Sequence, residues 1–158
     1  ETKLSKKNFS LDGCSAPQYS FRIRSISKAL NNLIKCYNSS LEYSIATRIL
    51  IDSTLKYPNY IGGTKSFDTK IIDSSKSKIF CKHGAEGVFL FAHLKKGISG
   101  VVKVTDGNER AIPITIINIF KKLKIISKSE LSNLQKKEEF YLKNHAQKKI
   151  GYVDSKIM

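Results

Sequence analysis

The sequence predicts an α/β chain of the α+β kind, with helices leading into a small antiparallel sheet that further helices flank. Apolar residues recur every three or four positions between residues 23 and 57, the mark of amphipathic helices. Three short segments rich in Val, Ile and Phe follow, at 79–82, 87–93 and 98–105. Helical spacing resumes beyond Pro113. With 158 residues, 41% of them hydrophobic, the chain can build a real core as one domain or a large piece of one.

Residues 1–11 read as a basic leader without an apolar signal segment, and 12–62 as a loop followed by the helical part. Asp12-Gly13-Cys14-Ser15-Ala16-Pro17 is a run of turn formers, in which Pro17 biases Ala16 away from the helical region. From about Ser20, Ile23, Ile26, Leu30, Leu33 and Tyr37 mark one helical face. Leu41, Ile45, Ile49 and Leu50 mark a second, which Tyr57-Pro58-Asn59 stops. The stretch 63–158 should hold the sheet and its covering helices.

Gly62-Gly63 breaks the chain, and Ser66-Phe67-Asp68-Thr69 reads as the cap and first turn of a short helix through Ile71 and Ile72. Lys95-Lys96-Gly97 is short enough to close a hairpin between the last two strands. The covering helix should bury Ile112, Ile116, Ile119, Phe120 and Leu123, with Lys121, Lys122 and Lys124 complementing its dipole. A last helix from near Ser129 carries a thin seam of Leu131, Leu134 and Tyr141, and 149–153 returns as an edge strand.

The net charge of +15 would fit a polyanionic partner. However, Arg occurs only at 22, 24, 48 and 110, and Lys is spread along the chain rather than clustered. Readers of phosphates and bases favour the forked guanidinium, so nucleic acid is not the expected partner. No apolar run approaches the roughly 18 to 20 residues that span a bilayer. Cys14, Cys36 and Cys81 show no CxxC spacing, which fits reduced thiols in a cytoplasmic setting.

Three stretches, in order, resemble the bacterial, rhizobial-type L-asparaginase II family. They are Asp12-Gly13-Cys14-Ser15-Ala16-Pro17, Lys82-His83-Gly84-Ala85-Glu86-Gly87-Val88 and Asp106-Gly107-Asn108-Glu109-Arg110-Ala111. Phe67-Asp68-Thr69 and the stretch 144–151 are similar to weaker family positions. The resemblance implies a serine β-lactamase-like fold, of the kind shared with penicillin-binding proteins, and hydrolysis of asparagine to aspartate and ammonia by a cytoplasmic homodimer. It also implies that this chain is the carboxyl-terminal half, inactive alone, with the nucleophilic serine and its Ser-x-x-Lys lysine in an amino-terminal half. Ser25-Ile26-Ser27-Lys28 follows the Asp-Gly-Cys loop, where the family places an ordinary helix, and is read as a decoy.

Within that likeness Lys82 is the expected catalytic residue. Lys82-His83-Gly84 has the form of the Lys-Thr-Gly strand motif, in which an ammonium can stabilise negative charge or protonate departing ammonia. His83 departs from the small or aliphatic residue expected between Lys and Gly. Asp12, Gly84 and Ala85 are the expected substrate contacts, with turn capping the plain alternative for Asp12. The resemblance implies a Zn²⁺ site to which Cys14 contributes one thiolate, joined by a Cys and a Lys from the other half. Cys36 and Cys81 read as packing residues, His93 and His145 as surface residues, and Glu86 and Arg110 equally as ion-pair partners or substrate contacts. Two rival functions remain: an amidase of the same fold acting on another small amide, and a basic module that binds nucleic acid.

Overall fold

The computed structural model describes residues 6–157. The leader's first five residues and Met158 lie outside that range. A 3-10 turn at Lys6–Asn8 leads into a small hairpin, β1 (Phe9–Leu11) and β2 (Pro17–Tyr19), whose connection is the Asp12 turn. Helices α1 (Ile23–Tyr37), α2 (Ser44–Lys56), the one-turn α3 (Asn59–Gly62) and α4 (Phe67–Ser74) come next. The central sheet, ordered β3-β4-β5, is wholly antiparallel: β3 (Ile79–Gly84), β4 (Val88–His93) and β5 (Ser99–Lys103). A 3-10 turn at Glu109–Ala111, α5 (Ile112–Lys122), α6 (Lys128–Lys136) and a terminal hairpin of β6 (Tyr141–Lys143) and β7 (Lys149–Tyr152) complete the chain.

The core lies between the sheet and the helices. Phe89, Phe91 and Ile79 from the strands meet Ile71 and Ile72 of α4 and Ile116, Ile117 and Phe120 of α5, all buried. Phe91 and Phe120 pack edge to face with ring centres 5.1 Å apart, a geometry that suits their quadrupoles. Polar ties fix α1 on the sheet. Ser99 Oγ donates to the Ser27 carbonyl at 3.0 Å, and Asn38 Nδ2 donates to the Leu94 carbonyl at 2.7 Å.

The helix-start signals are observed. Ser66 caps α4 by accepting from the Thr69 amide, and Thr69 Oγ1 donates to the Pro58 and Gly63 carbonyls, fastening α3 to α4. Ser127 and Glu130 form a reciprocal capping box at α6, so that helix starts just before the expected position.

Four expectations need correction. Leu41, Ile45, Ile49 and Leu50 are exposed, and α2 instead buries Ser44, Thr47, Ile51, Thr54 and Leu55. Leu123 caps α5 in solvent while Ile117 takes a core position. Tyr141 belongs to β6, and β7 pairs with β6 in a separate hairpin instead of edging the central sheet. His93 is buried, because its Nδ1 accepts from the Lys95 and Lys96 amides at 3.2 Å each and so closes the β4–β5 turn from inside. His145 is exposed as expected.

Candidate active site

Alternation along β3 sets the site. Cys81 faces the core and is fully buried, so Lys82 faces outward and His83 is half-buried. Burial, and then the neighbouring Asp68 carboxylate, push the Cys81 thiol well above its ordinary range, consistent with a protonated packing residue. Lys82 pairs with Leu90 across the ladder, and its ammonium donates to the His83 carbonyl at 2.5 Å.

β3 is an edge strand whose free side is covered by α4. The His83 amide points to that side and donates to Asp68 Oδ2 at 3.2 Å. Asp68 stands in the first turn of α4 and is 1% exposed. Its Oδ1 finds no hydrogen-bond donor among the described residues. Gly62 lies against this carboxylate so closely that a Cβ there would stand 2.3 Å from Oδ1.

Together Gly62, Ser66, Asp68, Lys82, His83 and Glu109 line a cavity of about 440 Å³, within the range of small-molecule sites. His83 Nε2 lies 2.8 Å from Glu109 Oε1 without meeting the geometry of a hydrogen bond. The lining also includes Lys70 and Glu138, paired at 2.7 Å.

The second and third sequence motifs meet at one end of the sheet. Glu86 and Gly87 both adopt positive φ, 58° and 68°, in the β3–β4 turn, and Gly107 sits at 74° in the Asp106 turn. The two turns touch: a Cβ on Gly107 would stand 2.6 Å from Glu86 Oε2, and the Val104 amide donates to the Gly87 carbonyl at 2.8 Å. Arg110 pairs with Asp106 at 2.6 Å within its own loop. Gly84 is half-buried at the end of β3 and Ala85 is exposed in the turn, and neither lines the cavity.

The first motif forms the β1–β2 connection, and none of the cavity's lining residues comes from it. Both Asp12 oxygens serve its own hairpin: Oδ1 accepts from the Cys14 and Ala16 amides at 2.8 and 3.0 Å, and Oδ2 from Gln18 Nε2 at 2.9 Å. Those bonds hold its carboxyl below the usual range, the Ala16 amide contributing most. Cys14 is exposed. No three His, Cys, Asp or Glu side chains gather among the described residues, so Cys14 brings one donor and the residues present do not by themselves fit a zinc ion.

Sequence reasoning missed Asp68, Glu109 and Gly62 as site residues. An Asp in a first helical turn looks like a dipole complement, and only the fold shows one oxygen reaching 15 residues along the chain. No described helix is long and apolar enough to cross a membrane. No individual curated protein matches the chain. The profile of the L-asparaginase II family matches residues 1–155, nearly the whole sequence, and the chain therefore belongs to the L-asparaginase II family.

Proposed function

We propose that the intact protein hydrolyses the side-chain amide of L-asparagine through a serine acyl-enzyme, within a serine β-lactamase-like architecture. The serine adds to the amide carbon, the tetrahedral oxyanion collapses with loss of ammonia, and water then cleaves the ester to give aspartate. Lys82 stabilises the oxyanion or hands a proton to the departing ammonia. The nucleophile and its lysine are assigned to sequence outside these residues, and the 158-residue chain alone is expected to be inactive. Cys14 is assigned as one donor to a zinc ion that residues elsewhere complete. The intact protein is expected to be a homodimer in the cytoplasm.

The observation that supports this reading best is the place of Lys82: its flanking sequence is the family-like one, and it lines a cavity together with the buried carboxylate of Asp68. Removal of the ammonium tests it. In the full-length protein, Lys82→Ala should lower kcat/KM for asparagine by about 10²- to 10⁴-fold, the usual worth of a positioned proton donor. Equal turnover by the two proteins would take Lys82 out of the mechanism.

A further inference from the structure

The Asp68 carboxylate is nearly inaccessible, yet one of its two oxygens is without a donor among the described residues. A buried acceptor in that state is costly, and native chains leave few of them. Two of the three lysines that line the cavity are engaged elsewhere, Lys70 with Glu138 and Lys82 with the His83 carbonyl, and the third, Lys65, makes no bond to Oδ1. Gly62 matters here, because a Cβ at that position would stand 2.3 Å from Oδ1 and 2.4 Å from the Ser66 hydroxyl and would force the carboxylate to shift.

The lining charges point to the kind of molecule that would supply the missing donor. Lys65, Lys70 and Lys82 stand against Asp68, Glu109 and Glu138, three of each sign around one cavity. Such a balance suits a zwitterion better than an anion or a cation. Asp12, the carboxylate expected from the sequence to contact substrate, has both oxygens occupied by its own turn.

We propose that Asp68 is the specificity residue that receives the α-ammonium of an amino-acid substrate, an assignment that rests on the amidohydrolase reading of the same cavity. A charge-assisted N–H···O bond satisfies Oδ1, while Oδ2 keeps the His83 amide and so holds the strand that presents Lys82. Molecules lacking the ammonium leave that oxygen unsatisfied and bind weakly.

The test is equilibrium binding of L-aspartate and of succinate, its analogue without the amino group, to the full-length protein. Wild type should favour L-aspartate by about 10- to 100-fold, the worth of one hydrogen bond to a charged group. Asp68→Asn keeps an acceptor for the His83 amide and should reduce that preference to within about threefold. A merely structural role would weaken both ligands alike and leave the ratio intact. Gly62→Ala, which displaces the carboxylate without removing it, should lower the ratio as well and serves if Asp68→Asn folds poorly. Lys82→Ala should lose turnover yet keep the preference, so failure of the catalytic reading is distinguishable from failure of this one. Equal binding of the two ligands by wild type, binding of neither, or an unchanged ratio in Asp68→Asn would overturn the assignment.

Discussion

His93 accepts two backbone amides at Nδ1, and it can do so only while that nitrogen carries no proton. Burial, then the charges of Lys96 and Lys78, lower its pKa from the ordinary 6.5; a backbone hydrogen bond at His93 and then Glu130 oppose them. The folded chain therefore binds this proton less readily than the unfolded chain, so stability is full above about pH 6.5 and declines as pH falls. Glu130 titrates in a different window. Burial pulls its carboxyl upward, but hydrogen bonds from Lys78, 2.6 Å away, and from Ser127 outweigh that and bring it to about 2. Its contribution is present above the ordinary 4.5 and lost toward about pH 2. Thermal midpoints should thus fall in two separable stages, and His93→Asn, whose side-chain oxygen can accept the same amides, should flatten the stage that sets in as pH falls below the ordinary 6.5. If the midpoint were level across that stage in the parent protein, His93 would not be the group that titrates.

Helix α2 shows what periodicity can and cannot tell. Spacing of three and four correctly gives a helix, but it identifies residues that share a face without saying which face meets the core. The more apolar face of Ile45 and Ile49 is the exposed one, with Leu41 in the turn before the helix, because Ile51 and Leu55 occupy the core side and Thr47 donates to Cys36 Sγ of α1 at 3.5 Å. Arg48 adds a tie, with its guanidinium on the Tyr37 and Ser39 carbonyls at the end of α1. Strands β3 to β5 were legible for a simpler reason: each has enough Val, Ile or Phe to fill a pleat, and the connections between them are short. The hairpins β1–β2 and β6–β7 were not read as pairs, since strands of three or four mostly exposed residues are too short to show a period. The contrast is measurable by denaturant unfolding. Ile51→Ala should cost about 2–5 kcal/mol through lost burial and a residual cavity, whereas Ile49→Ala should stay within about 0.5 kcal/mol. Similar costs at the two positions would mean that the exposed face of α2 is covered in the protein as measured.

Across the whole molecule, the cavity is assembled from four separate stretches: residues 61–70, 82–83, 109–113 and 138. Lys82 was legible because its motif is local, but its partners were not. The Asp68 carboxylate meets the His83 amide only after α4 covers the open edge of β3, and Glu109 reaches His83 only because the Asp106 turn packs on the β3–β4 turn. Such contacts lie in the fold and leave no periodic trace in the sequence. An amino acid seated in the cavity would bridge the stretches, so it should protect them together. In the full-length protein, saturating L-aspartate should slow amide exchange in 62–70, 82–84 and 109–113 in step. At a hundredfold excess over Kd it should add about 2.7 kcal/mol to global stability, because the ligand binds only the assembled state. Protection confined to the Asp12 turn would move the site to the thiol loop, and the cavity between α4 and β3 would then be a feature of packing alone.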